Sequence, residues 1–358
     1  MNRLSNPVKD AAGSAAHTPP TAFKHVSLAH GGGGQLSDEL IREVILPGLG
    51  LAGDQTLLDS AEFSVTSPGR LAMTIDSYVV QPWHFPGGDV GRLAVCGTVN
   101  DLAVCGAEPM GLALSLIMPE GTPRSDLETV LESIAAAGRE AEVAVVTGDT
   151  KVVRHQDADG FYITTAGVGR THPQAQLSPS HIKPGDQIIV SGNIAEHGLA
   201  VMLAREMPEI ESPLRSDAAP LNGLVRNLLD GFGSEIAFMR DPTRGGVGSL
   251  LVELAQTTGR RIVIEETALP ISPAVEHAAD MLGLDPLDIA NEGKLVLAVR
   301  PAVAQQVIEA LRYHSLGRDA ALIGRVESTA DSRCEIHTAV GGRRIMQKPY
   351  GEQLPRIC

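Results

Sequence analysis

The sequence predicts two α/β or α+β domains in tandem. Three observations carry that expectation. The chain has 358 residues, room for two domains at about 150 residues each. Strand-like and helix-like runs are mixed in both halves. Between them lies a polar, proline-containing stretch, THPQAQLSPSHI (171–182), that reads as a linker. The resulting division is a disordered tail at 1–25, a first domain at 26–170, the linker at 171–182, a second domain at 183–340 and a mobile tail at 341–358.

The elements follow in order. Residues 1–25 are rich in Ala, Ser, Thr and Pro without periodicity, as in disordered termini. Strand-like runs are Leu71 to Ile75, Val143 to Thr147 and Phe161 to Ala166. A helix is expected over Val90 to Val104, capped by Gly106. In the next helix Ser125 and Glu128 have capping-box spacing. Leu127, Val130, Leu131 and Ile134 then follow helical periodicity, with Gly138 near the end. The second half opens with a Pro184-Gly185 turn and a strand at Gln187 to Ser191. Helical patterns follow near 195–206, 220–230, 247–257, 273–282 and 302–312, with a strand at Leu295 to Val299. The ending, QKPYGEQLPRIC, has two prolines, a glycine and no period, so an extended, mobile segment is expected.

Composition excludes several classes. A net charge of −14 without a basic block is a poor match to nucleic acid or an anionic membrane. Hydrophobic residues at 43% and charged residues at 20% are those of an ordinary globular chain. No apolar run approaches 18 residues, and the N-terminus lacks the pattern of a secretory signal. The four cysteines, Cys96, Cys105, Cys334 and Cys358, include no CxxC pair. Reduced thiols and a cytoplasmic location are expected. Cys96 and Cys105 are expected to pack inside the apolar helix.

The chemically informative residues are acidic. Asp59, Asp76, Asp101, Asp149 and Asp241 sit beside glycines or at apparent element ends, where scaffolds present reacting groups. Hard oxygen ligands suit Mg²⁺ bridging to phosphates. Any one of them alone more often caps a helix or braces a turn; five in similar settings favour a metal role without proving convergence. Asn100-Asp101 is the most pointed pair, polar within an apolar helix. Glycine-rich runs at Gly31, Gly32, Gly33 and Gly34, and at Gly245, Gly246 and Gly248, precede helical patterns and offer backbone N–H groups to anions. Such runs are more often simple connectors, and neither a Walker A motif nor GxGxxG is present. Lys151 in TGDTKVV and Glu292 in ANEGKLV are a candidate phosphate contact and a candidate general base. Read locally, they are equally consistent with surface charge. Cys358, the last residue, is useful chemically only if exposed and deprotonated.

Taken together, TIDSYVVQPWHFPGGDVGRLAVCGTVNDLAVCGAEP, VTGDTKVV, RDPTRGGVGSLLVELA, ANEGKLV and the ending LPRIC resemble the HypE family of hydrogenase maturation proteins. More broadly the chain is similar to the aminoimidazole ribonucleotide synthetase superfamily. The resemblance spans about residues 25–358. It implies an N-terminal α/β domain that pairs with its copy into a β-barrel in a homodimer, and an α+β domain closing a cleft for Mg-ATP. It implies that the terminal cysteine, here Cys358, receives a carbamoyl group from a HypF carbamoyltransferase. ATP-dependent dehydration then leaves a thiocyanate, whose cyanide passes to iron on a HypC–HypD scaffold for [NiFe] hydrogenase. On this resemblance the catalytic residues are Cys358, Lys151 and Glu292. Nucleotide contacts are Gly31, Gly32, Gly33, Asn100, Thr150, Arg244, Gly245 and Gly246, and metal ligands are Asp59, Asp76, Asp101, Asp149 and Asp241. Rival readings within the superfamily are a selenophosphate synthetase, disfavoured by the thiol-free loop at His30–Gly34, and a thiamine-monophosphate kinase, which leaves LPRIC unexplained. From another class comes a non-catalytic, nucleotide-switched carrier.

Overall fold

Residues 71–78 alternate in exposure, so β1 (Leu71–Tyr78) turns one face to helices and one outward. This computed structural model describes residues 23–27, 30, 35–53, 69–329, 331–348, 354 and 356–358. Gly31, Gly32, Gly33 and Asp59 lie outside the described residues, as do 1–22 of the expected disordered tail. The helices α1 (Gln35–Leu40) and α2 (Leu46–Gly48) precede β1. After it come the two-residue strands β2 (His84–Phe85) and β3 (Gly88–Asp89), then α3 (Val90–Val104). Asp89 caps α3 by accepting the Arg92 N–H at 2.9 Å. The half continues through β4 (Ala107–Pro119), α4 (Arg124–Glu140), β5 (Val145–Val153) and β6 (Tyr162–Thr171).

The first sheet runs β1-β6-β4-β5, antiparallel except for the parallel β4–β5 pair. Helices α3 and α4 cover one face, with Leu93, Val99, Leu127 and Ile134 buried beneath. The other face is open, and on it Leu71, Met73 and Ile75 are 52%, 73% and 66% exposed.

The second half comprises β7 (Gln187–Val190), α5 (Glu196–Glu206), α6 (Asn222–Phe232), β8 (Ile236–Arg240), α7 (Gly246–Thr258), β9 (Ile262–Glu265), α8 (Pro273–Leu282), β10 (Val296–Val299), α9 (Ala304–Tyr313), β11 (Ala321–Val326), β12 (Cys334–His337) and β13 (Arg343–Ile345). Its sheet runs β13-β12-β9-β11-β7-β10-β8, with only β12–β9 parallel. The two halves interlock. Ala103 and Val104 of α3 enter a core built around α6 and α9, while Val201, Ala218 and Ala290 join the first core. Among the described residues no helix is long and apolar enough to cross a membrane.

Several expectations need correction. Ser125 and Glu128 form no capping box. Helix α4 starts earlier, behind Pro123, and the Arg124 N–H is taken by the Lys24 carbonyl at 3.0 Å. Glu128 pairs instead with Arg124. Gly138 does fall near the end of α4, as expected, and a Cβ there would meet the Val143 carbonyl at 2.9 Å. Cys96 is buried as expected, but Cys105 lies just past α3 and is exposed. Asp76 and Asp149 fall within β1 and β5 rather than after a strand end. The long β4 and the strands β8, β9, β11, β12 and β13 carry no expectation from the sequence.

Candidate functional site

Four carboxylates face one another where β1, α3, the turn after β8 and the segment before β10 meet. They are Asp76, Asp101, Asp241 and Glu292. Asp101 is oriented by the Thr74 hydroxyl, which donates to Oδ2 at 2.7 Å. Burial raises the pKa of Asp101, and the charge of Asp76 adds to the rise. Burial, then the charge of Asp101, pushes Asp241 up to about 7. Glu292, 2% exposed, stands well above the usual carboxylate range because of burial and the charges of Asp241 and Asp217. Its Oε1 has no hydrogen-bond partner. Such a wall calls for a cation or a proton donor. Among the described residues no three His, Cys, Asp or Glu side chains could hold a metal ion by themselves. Mg²⁺ needs only one or two carboxylates when phosphates and water complete its shell, so this donor set fits it.

The glutamate is held by its backbone. The Asn100 amide, fully buried, donates to the carbonyls of Glu292 at 2.9 Å and Ala219 at 3.1 Å. Its oxygen accepts the Leu221 N–H at 2.8 Å. Asn100, expected as a nucleotide contact, therefore clips α3 to the second half instead, its amide being used up by the protein itself. The Glu292 N–H donates to Asp217 Oδ1 at 3.1 Å. At Gly293 a Cβ would lie 1.9 Å from the Asp217 carbonyl oxygen, so no side chain fits there.

Beneath lies an ion triad that sequence reasoning missed. Lys294 Nζ lies 2.9 Å from Asp217 Oδ2 and 3.5 Å from Glu196 Oε2. Burial by itself would raise Asp217, but the Lys294 ammonium, helped by the Glu292 N–H, outweighs it and holds the carboxyl below its usual range. The signal was Lys294 two residues past Glu292; nothing local marked Asp217.

The glycine turn before α7 stands at the same wall. Gly245 and Gly246 have φ of 74° and 61°, which side chains rarely adopt. A Cβ on Gly246 would meet the Leu287 carbonyl at 2.4 Å. Helix α7 starts there and presents its N-terminus, a setting that suits anions. Arg244 lies 3.8 Å from Asp76 with its side chain mostly exposed.

Asp149, Thr150 and Lys151 are elsewhere. They lie on β5, the opposite edge of the sheet from β1. Three strand spacings, about 14 Å, separate the two edges. Asp149 pairs with Ser115 and Lys151 with Ile117, positions on the open face. Thr150 alternates to the helix-covered side. One chain therefore does not unite Lys151 and Asp149 with the carboxylate wall.

The end of the chain is tied to this region through His197, which bonds the tail and feels the charge of Asp217. The described terminal residues are docked where a mobile segment was expected. Ile357 is buried and Cys358 half-buried in the first core, which also contains Ala218 and Ala290, next in sequence to Asp217 and close to Glu292. The Arg356 carbonyl accepts from Arg205 Nη2 at 2.7 Å and from the Gln81 N–H at 3.3 Å. The Arg356 guanidinium pairs with Asp159, whose carboxyl it draws down to about 2. His197 Nε2 lies 3.0 Å from the Ile357 carbonyl.

Comparison with known proteins agrees with this geometry. Models of the AIR synthase related protein match twice: the N-terminal domain over residues 58–171 and the C-terminal domain over 183–337. The carbamoyl dehydratase HypE of Rhizobium leguminosarum bv. viciae is 45% identical over 333 residues, 93% of this chain and 95% of that protein. A crystal structure of HypE in complex with ATP superposes with a TM-score of 0.87 at 39% identity, covering 93% of this chain and 100% of that one. A HypE–HypF complex matches with a TM-score of 0.75 at 43% identity, over 78% and 90% of the respective chains. Sequence, fold and chain length agree, and the chain belongs to the HypE carbamoyl dehydratases of the AIR synthase related family.

Proposed function

We propose that this chain is an ATP-dependent carbamoyl dehydratase acting on its own Cys358, supplying the cyanide ligand for [NiFe] hydrogenase iron. The observation that carries the reading is the docked chain end: Ile357 and Cys358 pack in the first core, and His197, which holds the Ile357 carbonyl, neighbours Asp217, the acceptor of the Glu292 N–H. On this reading HypF carbamoylates the thiol and a HypC–HypD scaffold takes the product. The related HypE–HypF complex supports HypF as a partner.

The chemistry balances. The carbamoyl oxygen attacks the γ-phosphoryl group of ATP, and ADP leaves. Glu292 takes one N–H proton. The C–O bond then breaks, the phosphate departs with the second N–H proton as hydrogen phosphate, and Cys–S–C≡N remains. Phosphorylation turns a poor leaving oxygen into a good one. A carboxylate of raised pKa is a stronger base once ionised. Mg²⁺ ions, each bridging one or two of Asp76, Asp101 and Asp241 to phosphate, with Asp59 and a second copy's Asp149 as further ligands, would offset phosphate charge. Gly31, Gly32, Gly33, Thr150, Arg244, Gly245 and Gly246 are proposed to contact the nucleotide.

The position of Lys151 favours a homodimer. The open face bearing Leu71, Met73 and Ile75 needs a partner sheet. Pairing with a second copy into a β-barrel would bring one chain's β5 edge toward the other's carboxylate wall. On this reading residues 26–170 bind nucleotide and dimerise, 171–182 link, 183–340 close the cleft, and 341–358 carry the thiol. Reduced thiols suit a cytoplasmic setting.

Mass spectrometry of the tail peptide tests the function. Carbamoylated protein given Mg-ATP should lose the mass of one water from Cys358, and Cys358→Ala should never gain the carbamoyl group. Carbamoylation and dehydration in Cys358→Ala would overturn the assignment.

A further inference from the structure

We infer that His197 is a positioning residue that grips the penultimate carbonyl of the chain and so aims the Cys358 sulfur into the site. The inference rests on the dehydratase reading for its purpose, but the grip itself is read from geometry.

His197 sits in the first turn of α5 and is fully buried. Its ring meets Phe85 edge-on, centroids 5.5 Å apart at 83°. Nδ1 lies 2.8 Å from Ser216 Oγ and Nε2 lies 3.0 Å from the Ile357 carbonyl oxygen. These partners settle the tautomer. A carbonyl can only accept, so Nε2 carries the hydrogen. Ser216 Oγ already accepts the Ala218 N–H at 3.1 Å, so its own hydrogen is available for Nδ1. The relay runs from Ala218 N–H to Ser216 Oγ, from the Ser216 hydroxyl to Nδ1, and from Nε2–H to the tail. Ser216 is fixed in turn by its N–H, which donates to the Pro86 carbonyl at 2.7 Å. Burial disfavours the charged ring, against the pull of Asp217, and a neutral ring with this hydrogen placement is what the contacts need.

The neighbouring contact makes the grip two-point. Arg205, also on α5, donates to the Arg356 carbonyl at 2.7 Å. Both anchors hold main-chain oxygens, so the last residues are aligned by their backbone. A role in packing alone would not require the His197 Nε2–H. A gripping role does, and that difference is testable.

Three variants separate the two roles. His197→Phe keeps a ring of similar size and removes the donor. His197→Gln restores an N–H near Nε2. Ser216→Ala removes the group that fixes the tautomer. The first reading is the rate at which iodoacetamide alkylates Cys358 in the unmodified dimer, followed on the tail peptide. His197→Phe should raise it about fivefold, as expected for losing one net hydrogen bond. His197→Gln should return toward wild type, and Ser216→Ala should fall between. The second reading is single-turnover dehydration of carbamoylated protein at saturating Mg-ATP. His197→Phe should slow it by a similar factor while ATP affinity is unchanged. Unchanged alkylation in His197→Phe would overturn the grip, as would a Gln variant that behaves like Phe. If wild type dehydrates nothing, the dehydratase reading fails, and the alkylation series still decides whether His197 holds the tail.

Discussion

The two edges of the first sheet are built differently. At the β1 edge the half-exposed Asp76 and Asp101 are joined by the buried Asp241 and Glu292 in one acidic wall. Burial and the neighbouring carboxylates raise Asp101, Asp241 and Glu292. At the β5 edge Asp149 and Lys151 are exposed, on the face that no helix covers. One edge is packed into a finished half of a site, and the other offers groups without anything to act on. On the proposed reading these are complementary halves facing different ways, which an isologous dimer would join.

The largest expected effect tests that division. Glu292→Gln and Lys151→Ala homodimers should each lose at least about 10²-fold in dehydration. Mixed dimers isolated with two tags keep one intact site if the halves combine across copies. They should recover about half of wild-type turnover. Mixed dimers as inert as their parents would place Lys151 and Glu292 in the same chain's site.

Next comes the rigidity of the β1 side. Asn100→Ala strips partners from three buried backbone groups and should cost about 3 kcal/mol or more, read from urea unfolding. A cost below about 1 kcal/mol would show that the clip is not what holds Glu292 to α3.

A smaller effect follows from protonation. The Asp241 pKa rises from its ordinary 3.8 to about 7 in the folded chain. Between those values the folded state binds more protons than the unfolded one. Without divalent cations, stability should fall as pH rises through that window and level off above it. The slope is at most about 1.4 kcal/mol per pH unit for this group. Glu292 acts in the same direction. Thermal melts in chelator should show the fall, and Asp241→Asn should flatten it. An equally steep profile in the variant would remove Asp241 as its source.

The smallest effect concerns the exposed anchor of the tail. Asp159→Ala removes a solvent-facing ion pair and should raise Cys358 alkylation by about twofold or less. A larger rise would make the surface pair, rather than the enclosed contacts, the principal latch.

Much of this was legible in the sequence. Helix α3 ends where the apolar run and Gly106 put it, and five helices of the second half fall close to their periodic patterns. Asp76, Asp101, Asp241 and Glu292, far apart in sequence, do come together. The rest was hidden for physical reasons. β4 reads as a nearly continuous apolar run because both its faces are at least partly covered, so alternation is muted. The capping box failed because a distant segment at Lys24 supplies the cap. Asn100 looked like a ligand contact because a buried amide needs partners; that those partners are three backbone groups more than 100 residues away cannot be seen locally. His197, Ser216 and Asp217 carry no motif, since their roles exist only once α5 and the chain's end are brought together.

Gly293 sets the tolerance of the whole assembly. Its neighbour, the Asp217 carbonyl, stands 1.9 Å from where a first side-chain carbon would go. Asp217 also holds the Glu292 N–H and the Lys294 ammonium, and its charge bears on His197. One added methyl would therefore be felt at the proposed base, at the ion triad and at the tail grip together. Drift at the carboxylates can be absorbed one residue at a time. Drift at this glycine would move every part of the machine at once.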